Sequence, residues 1–180
     1  SYYSIKNNNL WIGGGSQWNP EQLNYFGAAD IAVTTADSSD YTAIVSFAQT
    51  PDMRLFVNDV IRIKVEGPDV VPQISQMYRR YNWRHLLLEK QGLSKPFAQM
   101  AQRAGLRVVE LSADKDKITK ALPLSARMEA GDVLFRADAP WVPELERELL
   151  TFPLGAHDDM VDALSLGAQH VQNKRTWQAF

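Results

Sequence analysis

Two hydrophobic periods alternate along the chain from about residue 25. "YFGAADIAVT" (25–34) and "TAIVSFAQ" (42–49) are short apolar runs rich in β-branched residues, split by the polar "TADSSD", and predict a hairpin. "RLFVNDVIRIKV" (54–65) alternates apolar and polar residues and predicts a third strand. "EGPDVVPQISQMYRRY" (66–81) then turns helical, with Val70, Ile74, Met77 and Tyr81 on one face. "RHLLLE" (84–89) is a buried-type strand, and "SKPFAQMAQRAG" (94–105) a helix with Pro near its start and Gly at its end. "LRVVEL" (106–111) predicts another strand, and "DKITKALPLSARMEAG" (116–131) a helix interrupted near Pro123. "DVLF" (132–135) reads as a short edge strand, while "PELERELLTF" (143–152) and "DMVDALSLGAQHVQ" (159–172) are closing helices. Three meandering strands followed by alternating helix and strand imply an α/β fold, one mixed sheet covered by helices.

That succession is the ground plan of RNase H-like domains, in which a three-stranded antiparallel unit leads into parallel strands. Residues 1–22, with an Asn run and a Gly triplet, show little periodicity and read as an interdomain linker or irregular N-terminal arm. Residues 23–180 are then the folded domain. Lacking a start methionine, the segment is expected to be cut from something longer. At 180 residues the chain can bury a sizeable core. It has no cysteine, which excludes disulfides and cysteine-ligated metal sites and agrees with a reducing compartment. No apolar run reaches the length of a membrane span, so a soluble cytosolic domain is expected.

The net charge of −2 conceals an uneven distribution. From Arg79 to Arg127 there are 11 Lys/Arg against 4 Asp/Glu; from Met128 to Asp162 there are 2 against 9. Such segregation can set a basic surface beside an acidic pocket, which suits a polyanion handled near cations, or it can make two solvated faces of opposite sign.

Four acids stand out against this background. Asp30 interrupts an apolar strand, where an unpaired carboxylate is costly to bury, and Ala28, Asp30 and Ala32 share one face. Glu89 ends the run "HLLLE", at the strand end where open α/β sheets place their sites. Asp159 and Asp162, spaced i, i+3, face the same side of the last helix, with Asp158 a credible N-cap. Helix-dipole stabilisation alone could account for acids in that first turn. Together, however, these carboxylates could converge on hard divalent cations, Mg²⁺ or Mn²⁺, and two such ions about 4 Å apart would serve phosphodiester cleavage.

These stretches resemble a known family. "DKDKITKALPLSARMEAGDVLF" and "LERELLTFPLGAHDDMVDALS" are similar to the C-terminal nuclease domain of tailed-bacteriophage terminase large subunits, as are "AADIAVTTADSSDYTAIV" and "HLLLEKQG". The resemblance runs from about Tyr25 to His170. It implies an RNase H-like, RuvC-like endonuclease that uses two Mg²⁺ or Mn²⁺ ions to cut concatemeric viral DNA during packaging. By the same resemblance Asp30, Glu89 and Asp159 are catalytic and bind metal, with Asp162 a further ligand; Asp158 ranks behind both helix acids. The implied partners are double-stranded DNA, an N-terminal packaging ATPase, the portal and the small terminase subunit, in the host cytoplasm and transiently at the procapsid portal. This chain has no G-x-x-x-x-G-K-[ST], so the ATPase is not part of it.

Lys115, Lys117 and Lys120 could contact DNA phosphates or form a solvated helix face. His157 is expected to stabilise its turn, Asp40 to serve the hairpin, and Trp83, Trp141 and Phe152 to pack. The competing readings are a junction resolvase of similar fold, which requires a dimer and four-way DNA, and a non-catalytic RNase H-like docking domain whose acids only cap helices.

Overall fold

The computed structural model describes residues 1–6, 9–12, 17–32, 41–65, 67–90, 94–112, 114 and 116–178. Along the chain come β1 (Tyr2–Lys6), β2 (Asn9–Ile12), β3 (Gln17–Trp18), β4 (Asn24–Asp30), β5 (Thr42–Gln49) and β6 (Leu55–Ile63). There follow α1 (Gly67–Arg80), β7 (Leu86–Lys90), α2 (Ser94–Arg103), β8 (Val108–Ser112), α3 (Lys117–Glu129), β9 (Val133–Arg136), α4 (Val142–Thr151) and α5 (Asp159–Gln178). The strands form one sheet in the order β3-β2-β1-β9-β6-β5-β4-β7-β8. β4, β5 and β6 are the antiparallel unit, and β7 and β8 extend it in parallel from β4. This is the mixed sheet expected from the alternation of periods.

Strand alternation divides the core between two helix layers. Phe26, Ala28, Ala43, Val45, Phe47 and Leu87 pack with residues of α3, α4 and α5 on one face. Ala29, Ile44, Leu86 and Leu88 pack with α1 and α2 on the other. All eight residues of β5 are buried, as befits a central strand covered on both sides. Each large side chain so buried contributes about 1.5–3 kcal/mol of transfer free energy.

Three expectations are corrected. Within residues 1–22, expected to be an interdomain linker or irregular N-terminal arm, Tyr2–Lys6, Asn9–Ile12 and Gln17–Trp18 join the sheet as β1, β2 and β3. Tyr3 and Leu10 are buried there against Leu23, Phe56 and Leu134, so apolar burial overrides weak local periodicity. β9 is not an edge strand but lies between β6 and β1, parallel to both. α3 runs through Pro123 without a break, because Leu124 and Arg127 are buried beyond it and packing outweighs the lost hydrogen bond. The hairpin turn with Asp40 lies outside the described residues.

Candidate active site

Asp30 closes β4 and Glu89 stands one residue from the end of β7. The two strands pair in parallel, Ala29 opposite Leu88, so the next step along each carries Asp30 level with Glu89. Both carboxylates fall on the α5 face, because Ala28 and Leu87, two residues earlier, belong to the core that α5 covers. α5 lies close to the sheet at Gly167, where any Cβ would come within 2.5 Å of the Phe47 ring. Its first turn carries Asp159 and Asp162.

The electrostatics register this convergence. Burial, and then repulsion from Asp162, Asp159 and Glu89, push Asp30 up to about 7. Burial also pushes Asp162 up to about 6, against the favourable field of Lys117. Asp159 is raised by burial, opposed by the Arg62 guanidinium. Four acids drawn from β4, β7 and α5 thus share one electrostatic neighbourhood, which only an added positive charge can relieve.

Lysines of α3 supply part of that charge. Lys117 pairs with Asp158 and stands 3.5 Å from Asp162, while Lys120 pairs with Glu89. Burial works against the Lys117 ammonium, yet Asp158 and Asp162 outweigh it and raise its pKa above the ordinary lysine value. Lys117 and Lys120, expected to contact DNA phosphates or to form a solvated helix face, point into the acids here; Lys115 lies outside the described residues. Asp158, engaged by Lys117, leaves the capping of α5 to Glu148, whose Oε1 accepts the Val161 N–H at 2.8 Å.

On the other flank Arg62 donates to Glu144 at 2.6 Å and stands 3.6 Å from Asp159 Oδ2. Its guanidinium lies 3.9 Å from the centre of the Tyr41 ring, and Tyr41 packs edge-on against His157 at 5.2 Å. His157 accordingly braces its turn through an aromatic contact. Trp83 is buried and donates to Ser46 Oγ at 2.9 Å, and Trp141 and Phe152 pack against the core.

Among the described residues no three His, Asp or Glu side chains already form a coordination shell. Asp158, Asp162 and Glu89 are turned toward lysines, and they would have to leave them to complete one. The donor set nevertheless fits a hard divalent cation. It consists of carboxylate oxygens, their mutual repulsion calls for positive charge, and Asp159 Oδ2 is buried without a hydrogen-bond partner among the described residues.

A family model for the terminase RNase H-like domain matches residues 27–170, which span every one of these acids. The chain belongs to this terminase family. The large terminase nuclease of thermophilic phage G20c, with bound zinc, superposes with a TM-score of 0.67 at 19% identity, over 93% of this chain and 91% of that one. Its magnesium-bound form gives 0.66 at 16%, over 93% and 90%. Thermus thermophilus RuvC gives 0.54 at 13%, over 85% and 96%. No curated protein sequence matches the chain. At these identities the structural likenesses speak for the RNase H-like fold. That fold, and a terminase nuclease-like architecture that supports a nuclease role, agree with the expectation from sequence.

In this terminase domain two residues escaped the reading of the sequence. Arg62 sat in an alternating strand as an ordinary outward charge, and Glu148 lay in a helix rich in acids. Their signal is tertiary, since Arg62 meets partners 82 and 97 positions away.

Proposed function

We propose that this terminase domain is a divalent-metal-dependent endodeoxyribonuclease that cuts concatemeric viral DNA during genome packaging. The observation that carries the reading is the convergence of Asp30 from β4 and Glu89 from the paired β7 with Asp159 and Asp162 from the first turn of α5, where burial and then the three neighbouring carboxylates raise the Asp30 pKa. Asp30, Glu89 and Asp159 would hold the cations, with Asp162 as a further ligand and Asp158 behind it. Zinc-, magnesium- and cobalt-bound forms of the G20c nuclease favour divalent ions in general, and the oxygen donors here favour two ions of Mg²⁺ or Mn²⁺. Such ions supply activation of a water and stabilisation of the leaving oxygen of the phosphodiester.

The chain's own residues orient that chemistry. Asp30 and Glu89 are held by paired strands, and Asp159 and Asp162 by one helical turn, so the proposed ligands are carried on rigid elements. Lys117 and Lys120, paired here with the acids, would turn to backbone phosphates when DNA and cations bind, and such contacts carry no base information, so little sequence preference is expected. We take the nuclease unit to include the N-terminal strands, with the packaging ATPase, portal and small subunit as partners of the full-length protein in the host cytoplasm.

The test is a plasmid assay. With Mn²⁺ or Mg²⁺ the protein should nick or linearise plasmid DNA, and Asp159→Asn should reduce cleavage to background and abolish metal-dependent thermal stabilisation. Cleavage that persists in excess EDTA would rule out the metal mechanism. Cutting confined to four-way junctions would transfer the assignment to a resolvase, and an inert wild type that binds no cation would leave a docking domain.

A further inference from the structure

Glu148 is a carboxylate at 5% exposure, on the helix next to the one that carries the candidate ligands. α5 begins at Asp159, so Val161 is its third residue, and the Val161 amide has no acceptor within the helix. A side chain at the position before the helix ordinarily serves such an amide. Asp158 holds that position but is paired with Lys117. Glu148 Oε1 accepts the Val161 N–H instead, from thirteen residues upstream and from a different helix. Its second oxygen is buried with no hydrogen-bond partner among the described residues. The Arg62 guanidinium, between Glu144 and Asp159, provides a compensating field, as does the positive end of α5.

We propose that Glu148 is a positioning residue for cation binding: by capping α5 from α4 it fixes the first turn that carries Asp159 and Asp162. The inference rests on the reading of those aspartates as cation ligands. A local serine or aspartate cap would satisfy the amide but leave α5 free to tilt. A long carboxylate reaching across from α4 satisfies the amide and sets the relation between the two helices. Removing it frees both ligands together, so the cation must order a frayed turn in order to bind. Losing a group that orients ligands typically weakens metal affinity about 10–100-fold.

Titration calorimetry with Mn²⁺ on the whole chain tests this without reference to cleavage. Glu148→Ala should weaken Mn²⁺ binding at least tenfold. Glu148→Gln keeps an oxygen that can accept the Val161 N–H and should restore affinity to within about threefold of the wild type. An alanine variant that binds as tightly as the wild type would overturn the proposal, as would equal weakening in both variants. Should the alanine variant not fold, amide exchange in the wild type decides the matter. The Val161 amide should exchange as slowly as second-turn amides of α5, and free exchange there would overturn the capping role. A wild type that binds no Mn²⁺ would overturn the ligand assignment itself, an outcome distinct from wild-type binding that ignores Glu148.

Discussion

Asp30 bears the largest conflict of any single residue in the cluster, and the conflict has a definite pH signature. Its folded pKa of about 7 lies above the ordinary 3.8, so the native state holds the proton more tightly than the unfolded chain. Stability from this group is therefore complete below pH 4, declines as pH rises from about 4 to 7, and stays diminished above. In EDTA at pH 8, Asp30→Asn should melt higher than the wild type, with a stability gain of up to about 4 kcal/mol at about 1.4 kcal/mol per pKa unit. At pH 4 the gap should close. Scanning calorimetry at both values checks it, and a variant that melts lower at pH 8 would mean the carboxylate is stabilised by contacts rather than strained. Asp30 was conspicuous in the sequence because a charge amid "AADIAV" breaks an apolar strand. Glu148 was not, since "LERELL" is what any amphipathic helix with a wet face looks like.

At the scale of elements, the segregated charge along the chain has a local explanation. The basic segment ends in α3 and the acidic one in α5, and the two meet where Lys117 and Lys120 reach Asp158, Asp162 and Glu89. On the proposed reading, an ammonium and a divalent cation would compete for the same oxygens. Lys120→Met should therefore lower the melting temperature in EDTA and raise Mn²⁺ affinity several-fold in calorimetry. Weaker Mn²⁺ binding would show instead that the lysine supports the ligands. The seat of α5 on the sheet admits a separate check. A methyl group at Gly167 would collide with the Phe47 ring at 2.5 Å, and Phe47 is fully buried. Gly167→Ala should cost about 1–3 kcal/mol in denaturant unfolding; an unchanged midpoint would mean that α5 rides higher than described.

The molecule as a whole is larger than its periodic region. β1 lies beside β9, and Tyr3 is buried edge-on against Phe56 at 4.8 Å, with its hydroxyl donating to the Val57 carbonyl at 3.1 Å. A linker would contribute nothing to stability, whereas a sheet strand does. Tyr3→Ala should lose about 3–5 kcal/mol, read from the urea midpoint, as aromatic truncations in cores do. A loss under about 0.5 kcal/mol would return the segment to the status of an arm. Only the tertiary contacts distinguish these outcomes, because "SYYSIK" and "NNNLWI" are too short and too polar to announce strands.

Local pattern determined the order of elements from β4 to α5, their types, the face that Asp30 shares with Ala28, and the place of Glu89 at a strand end. Periods of two and of 3.6 are properties of neighbouring residues, and burial acts on each element separately. The family, too, was legible in short stretches such as "FPLGAHDDMVDALS". Tertiary structure alone decided that β9 sits inside the sheet, that the N-terminal strands complete it, and that lysines of α3 face the acids. It also decided that Arg62 and Glu148 brace the turn bearing Asp159. Each of these depends on which distant segments pack together, and a parallel pairing or an ion pair across 97 positions leaves no period in the chain.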